Sequence, residues 1–117
     1  ISLNQFLTLA KFQWHGVKLN EPDWNPQSHS IALTARSLRA RFAIHMMINA
    51  YWDELRFEVP PALSLFGNEW RRWIDTFRES PDDIITSWDE APVVEQNIYA
   101  VQPRSIVCFF TRIKNLA

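Results

Sequence analysis

The side chains that could carry acid–base, nucleophilic or metal chemistry are few and widely spaced. The three histidines are His15, His29 and His45, and none of them has further ligands at the spacing of a metal site. His45 alternates with apolar residues, which predicts a buried ring held by a hydrogen-bond partner. Cys108 lies in an apolar run, where a thiol is an inert core group rather than a nucleophile. The sequence therefore predicts no metal site and no catalytic residue.

Two pairs of adjacent acids, Asp82–Asp83 and Asp89–Glu90, lie in a stretch interrupted by prolines. Glycoside hydrolysis needs two carboxyl groups about 5–10 Å apart across a cleft. Neighbouring acids in a loop ordinarily face solvent, and we interpret both pairs in this way. The sequence has only 2 glycines, so it offers no glycine-rich loop to cradle a phosphate. No cofactor is predicted.

The composition is that of one globular domain. The chain has 117 residues, of which 47% are hydrophobic and 21% charged. A net charge of −1 provides no basic field for nucleic acid or for an anionic membrane, so neither partner is expected. A single cysteine and the lack of a visible secretory signal favour a cytoplasmic location. The chain begins at Ile1, which suggests a fragment of a longer protein or a processed chain.

The elements that would position these side chains are mainly strands. From Ser28 onward, apolar residues recur with a period of two, which is typical of strands. Ser2 is expected to cap a short helix over 3–10, and 16–28 and 78–96 are expected to be loops. The pattern predicts an all-β fold: an antiparallel β-sandwich of about six to eight strands, Greek-key-like, after a short helical or extended N-terminal segment. The predicted strands are 29–36, 42–49, 54–59, 69–75, 98–101 and 105–111.

Aromatic residues make up 14% of the chain and include 6 tryptophans. Five aromatic residues are predicted at loops or strand ends: Trp14, Trp24, Tyr51, Trp52 and Trp88. Exposed rings of this kind can stack on sugar rings, whose axial C–H groups suit an aromatic face. They can equally close the edges of a sandwich or pack against another domain. The residue pattern leaves both interpretations open.

Seven short segments, in this order and spacing, resemble one known family. They are 14–24 (WHGVKLNEPDW), 29–34 (HSIALT), 47–52 (MINAYW), 57–61 (FEVPP), 70–76 (WRRWIDT), 80–84 (SPDDI) and 99–107 (YAVQPRSIV). The family is that of the isoamylase-type glycogen debranching enzymes, within the α-amylase family of glycoside hydrolases. The resemblance covers about residues 5–112 and is closest to the C-terminal domain of these enzymes.

The resemblance implies a parent enzyme that hydrolyses α-1,6 branch linkages in glycogen or related α-glucans. Its catalytic acids would lie on a (β/α)₈ barrel, which needs about 250 residues, and none of its motifs is present here. We therefore expect a non-catalytic accessory domain that stabilises the barrel and borders the substrate cleft. Residues 1–27 would form the junction with the catalytic barrel, and 28–117 the C-terminal β-sandwich.

The resemblance also implies a partner, the catalytic barrel of the same parent chain. Contact with it is predicted at Trp14, His15, Asp23 and Trp24, and without it the chain is expected to self-associate through the surface left exposed. The alternative function is a carbohydrate-binding module that holds α-glucan through Tyr51, Trp52 and Trp88. Within the sandwich, Arg104 is expected to pair with Asp75.

Overall fold

The computed structural model describes residues 11–36, 42–60, 69–87 and 90–112. Six of its antiparallel strands form one sheet in the order β1-β2-β3-β8-β5-β6, and β4 pairs with β7 in a second sheet. The predicted all-β antiparallel sandwich is confirmed, and the predicted helix over 3–10 lies outside the described residues. The strands are β1 (Lys11–His15), β2 (Ser30–Arg36), β3 (Phe42–Asn49), β4 (Leu55–Glu58), β5 (Trp70–Asp75), β6 (Val93–Val94), β7 (Ile98–Val101) and β8 (Ser105–Arg112).

The core lies between the two sheets. The larger sheet contributes Met47, Val107 and Phe109, and the smaller sheet contributes Phe57 and Val101, all of which are fully buried. Burying apolar surface from both sides is what holds two sheets face to face. We call the side of the six-stranded sheet that meets the small sheet the inner face, and the opposite side the outer face.

A buried carboxylate, that of Asp75, links the two sheets. The Tyr99 hydroxyl on β7 donates to Asp75 Oδ2 at 2.7 Å, and Arg78 Nε lies 3.4 Å from the same oxygen. Burial, and then this bond to Asp75, raises the pKa of Tyr99. The predicted pairing of Arg104 with Asp75 is wrong. Arg104 is exposed and has a φ of 53°, and the carboxylate is occupied by groups nearer to it.

The predicted strand positions hold to within one residue for β2, β3, β4, β5, β7 and β8. Strand β3 lies between β2 and β8, in the middle of the sheet. The periodicity did not reveal β1 and β6. Strand β6 has only two residues and lies within the predicted loop 78–96, because two residues are too few to show an alternation.

The two faces of β3 differ in an unexpected way. The residues directed to the inner face are fully buried and include two polar side chains, while those directed outward are apolar and only partly buried. Antiparallel sheets usually place the apolar side inward and the polar side outward. The inner-face residues are Ala43, His45, Met47 and Asn49, and the outer-face residues are Ile44, Met46 and Ile48.

Candidate functional site

The outer face is apolar across four neighbouring strands. The strand registers align its side chains in three rows that run from β1 or β2 to β8. Every side chain in these rows is apolar. Several of the largest, and also Trp73 on the adjacent strand β5, are 37–44% exposed. The rows are Phe12–Ala35–Ile44–Phe110, Trp14–Leu33–Met46–Cys108 and Ile31–Ile48–Ile106.

One edge of the outer face carries three of the four predicted interdomain residues. The Trp14 and Trp24 rings meet edge to face with centroids 5.5 Å apart, and both remain exposed, at 43% and 62%. Asp23 lies beside them, exposed, and its Oδ1 accepts the backbone N–H of Asn25 at 3.0 Å. Trp14, Trp24 and Asp23 thus share one surface at the β1 side of the sheet.

The remaining predicted interdomain residue, His15, points the other way. It is 2% exposed, and both of its ring nitrogens have partners inside the chain. Nδ1 accepts the backbone N–H of Asn20 at 2.8 Å, and Nε2 lies 3.0 Å from Thr34 Oγ1. The prediction for His15 needs correction, because a side chain buried in this way has no surface to offer another domain.

His15, Thr34 and His45 form a buried hydrogen-bond chain on the inner face. Thr34 Oγ1 lies 2.9 Å from His45 Nδ1 as well as 3.0 Å from His15 Nε2. Since Asn20 donates to His15 Nδ1, the proton of neutral His15 is on Nε2 and is donated to Thr34. The Thr34 hydroxyl then donates to His45 Nδ1, which places the His45 proton on Nε2.

This arrangement keeps both rings neutral. Burial, and then the neighbouring His15, lowers the pKa of His45 to about 3, and burial lowers the pKa of His15. His45 is 0% exposed, and within the described residues its Nε2 has no hydrogen-bond partner. The expected hydrogen-bond partner of this buried strand histidine is present at Nδ1 only, and the His45 ring packs against the rings of Trp70 and Phe109, with centroids 5.9 and 6.5 Å away.

A second candidate surface lies where β3 ends. The Tyr51 ring is stacked on Trp52, with centroids 5.1 Å apart and planes 29° apart. It is also stacked on His29, at 5.8 Å and 15°. Trp52 is 68% exposed and His29 is exposed, while Tyr51 is half-buried between its neighbours. We call these three residues the ring stack.

The buried amide of Asn49 fixes the turn that carries the ring stack. Its Oδ1 accepts the Tyr51 N–H at 2.9 Å. Its Nδ2 lies 2.9–3.2 Å from three backbone carbonyl oxygens, those of Asp53, Val101 and Gln102. The predicted strand 42–49 ends at this residue, and the amide bonds its own backbone two residues on, as Asn often does in turns. The bonds to the β7–β8 connection were not foreseen.

An open groove adjoins the ring stack. It has a volume of about 330 Å³, at the lower end of the range of small-molecule sites. Loop residues Asp23, Trp24 and Asn25 line it together with His29 and the outer-face residue Ile48. His29 therefore belongs both to the groove and to the ring stack, which joins the two into one continuous surface.

The structure brings together two of the three predicted carbohydrate-binding residues, Tyr51 and Trp52, and Trp88 lies outside the described residues. The roles of His29 and Asn49 were missed. The pairing of the first two predicted strands could have revealed the position of His29, because a register that puts Ser30 opposite Asn49 also puts His29 beside the turn at Tyr51.

Cys108, the paired acids and the metal-ligating residue types are the remaining candidates for catalytic or metal chemistry. Burial raises the pKa of Cys108 to about 12, as expected for an inert core thiol. Asp82 and Glu90 are exposed, and Asp89 lies outside the described residues. In the parts of the chain that the structure describes, no three His, Cys, Asp or Glu side chains cluster as metal ligands would.

The described ranges contain no helix long and apolar enough to cross a membrane.

Among curated proteins, the chain is similar to isoamylase SU1, chloroplastic, of Zea mays, with 27% identity over 86 residues. The matched segment covers 74% of this chain and 10% of the maize protein, so the chain spans about a tenth of that relative's length. Because the maize relative is chloroplastic, the cytoplasmic location expected for this chain remains a prediction.

A family model for the C-terminal domain of isoamylases 1–3 matches residues 13–109. The matched range runs from β1 into β8, and so it includes the strands of the outer face and the turn of the ring stack. The resemblance drawn from the short segments is confirmed: the chain belongs to the family of isoamylase 1–3 C-terminal domains.

Proposed function

We propose that this chain is a non-catalytic accessory domain that docks through its outer face on the catalytic barrel of its own parent chain. The parent would be a debranching enzyme that hydrolyses α-1,6 branch linkages in glycogen or a related α-glucan. The domain would stabilise the barrel and border its substrate cleft. The observation that carries the proposal is the apolar outer face, with its three aligned rows.

Such a face is costly to leave in water. A solvated antiparallel sheet face is normally polar, and a large contiguous apolar patch on a soluble protein marks an interaction site. Trp14, Trp73 and Ile106 lie 37–43% exposed on this face, and covering the part of each side chain that is still exposed is worth roughly 1 kcal/mol. A partner that covers the face would gain this free energy.

The rest of a parent chain is the partner that fits best. The family is defined as a C-terminal domain, and the maize relative extends far beyond the segment that matches. A partner in the same chain has a high effective concentration, so an apolar contact of moderate size suffices to hold it. Trp14, Trp24 and Asp23 would lie at the rim of this contact, beside the groove.

The test uses the full-length parent protein with Ile106→Glu on the outer face. Ile106 is 40% exposed, so the substitution should leave the domain folded while burying a charge at the docked interface. We expect the melting temperature of the parent to fall by at least about 3 °C and the release of reducing ends from glycogen to decrease.

Ile98→Lys is the matched control, because Ile98 is 53% exposed on β7 of the small sheet and lies opposite Glu58, so that a lysine adds a charge there without like-charge repulsion. It should change neither the melting temperature nor the release of reducing ends. Equal effects of the two substitutions would refute docking through the outer face. Debranching by the 117-residue chain alone would refute the non-catalytic assignment.

A further inference from the structure

We propose that the ring stack and the adjoining groove form a surface site for a linear α-glucan chain, with the exposed face of Trp52 as its stacking platform. This inference rests on the proposed function only for the choice of an α-linked ligand. The geometry itself points to a neutral, polyhydroxylated ring compound.

The first step is the platform. Tyr51 is occupied by ring contacts to both His29 and Trp52, so it supports the platform and offers little free face of its own. Trp52 is 68% exposed, has one ring neighbour among the described residues, and presents the broad indole face to solvent. An indole face carries negative charge density and suits the weakly positive C–H groups on one side of a pyranose ring.

The second step is rigidity. The backbone N–H of Ala50 donates to the carbonyl of His29 at 2.8 Å, and that of Arg104 donates to the carbonyl of Tyr51 at 3.2 Å. Together with the Asn49 amide, these bonds hold the turn from three sides. A platform that is already in place costs little conformational entropy when a ligand binds.

The third step is the set of polar groups beside the platform. Gln102 Nε2 donates to Glu54 Oε1 at 3.0 Å, at an exposed position next to the turn. On the other side of the stack, Asp23 and Asn25 line the groove. Carboxylate and amide groups beside an aromatic face supply donors and acceptors for sugar hydroxyls.

Charge argues against the other polymers that stack on aromatic rings. The chain has a net charge of −1, and the groove and platform carry the acids Asp23 and Glu54. Nucleic acid would need a positively charged track for its phosphates. A neutral glucan meets no such cost.

The site would lie at the boundary of the docking surface. Ile31 and Ile48 form one of the outer-face rows and also line the groove. A glucan held on Trp52 would therefore run along the rim of whatever covers the outer face. In the proposed parent, this would guide an outer glucan branch toward the neighbouring domain.

The test is a titration of the 117-residue chain with maltoheptaose, followed by calorimetry and by NMR shifts of the indole N–H groups. We expect a dissociation constant of about 1 mM, with the largest shift at Trp52. Cellohexaose, a β-linked glucan of similar length, serves as the ligand control and should bind at least about tenfold more weakly.

Trp52→Ala should weaken maltoheptaose binding at least about tenfold. Phe77→Ala is the matched control, because Phe77 is also an exposed aromatic residue, at 59%, and belongs to neither the groove nor the outer-face rows. It should leave binding unchanged. Unfolding curves of both variants check that the fold is intact.

No shift up to about 10 mM maltoheptaose would overturn the site, and so would equal weakening by Trp52→Ala and Phe77→Ala. Equal binding of the two glucans would overturn the α-linked ligand. The titration uses this chain alone, whereas docking is read from the melting temperature of the parent. Failure of one proposal is therefore distinguishable from failure of the other.

Discussion

The two faces of the six-stranded sheet differ in which side chains they bury and which they leave exposed. The inner face buries polar side chains, His15, Thr34, His45 and Asn49, and binds most of their polar atoms with hydrogen bonds inside the chain. The outer face leaves apolar side chains in solvent. A domain that has to stand alone gains from the reverse distribution. The difference indicates that the inner face specifies the fold, while the outer face is shaped for a partner.

The largest predicted loss of stability arises at the inner face when the pH is lowered. The folded-state pKa of His45 is about 3, against an ordinary value of 6.5. Because the unfolded chain binds a proton that the folded chain excludes, stability is complete above pH 6.5 and is lost as pH falls toward 3. The loss attributable to His45 should reach about 4 kcal/mol in the free energy of unfolding.

Urea unfolding between pH 7 and pH 3 measures this loss. Other groups also titrate between these pH values, so the contribution of the ring is read as a difference between variants. His45→Gln removes the titrating group and should flatten the pH dependence. If His45→Gln follows the wild-type slope, the buried ring is not the acid-sensitive group.

The next largest effect is expected at Asn49. Asn49→Ala deletes an amide that is 1% exposed and leaves the carbonyls of Val101 and Gln102 and the N–H of Tyr51 short of partners. Each buried polar group left unpaired costs about 1–3 kcal/mol, so the free energy of unfolding should fall by about 3 kcal/mol.

Chemical denaturation measures this change, with Asn97→Ala as the control. Asn97 is exposed, and it is its backbone carbonyl, not its amide, that accepts the N–H of Val59. The control should cost less than about 0.5 kcal/mol. A similar small loss for Asn49→Ala would show that the Asn49 bonds do not hold the turn.

The contrast between the faces also explains what could be predicted from the sequence. Strands β3 and β8 have eight residues each, which is long enough for alternation to be plain. Alternation alone does not say which side is buried, and the usual rule would have chosen Ile44, Met46 and Ile48. Strand β1 follows the same inversion, with Phe12 and Trp14 outward and His15 inward.

The candidate site was predictable to a similar extent. Tyr51 and Trp52 are adjacent in sequence between the predicted strands 42–49 and 54–59, so their exposure in a connection between strands could be inferred. His29 joins them only through the pairing of β2 with β3, and the three carbonyls that Asn49 binds lie up to 53 residues away. Contacts over such separations depend on strand register, which composition and periodicity do not determine.

The mildest test addresses the outer face in this chain alone. With no barrel present, two copies should cover each other's apolar rows, because burial of exposed apolar surface favours association. We expect sedimentation velocity to show a reversible dimer at about 100 μM. Ile106→Glu should raise the dimer dissociation constant about tenfold, which corresponds to about 1.4 kcal/mol.

Ile98→Lys, on the small sheet, should leave the dimer unchanged. Added salt separates this contact from an electrostatic one, since an apolar interface persists or strengthens at high ionic strength, whereas an ion-pair interface weakens. A chain that stays monomeric at 100 μM would mean that the outer face tolerates water better than its exposed Trp14, Trp73 and Ile106 suggest. The need for a docking partner would then lose its physical basis, and the comparison of the two faces would reduce to a difference in polarity without consequence.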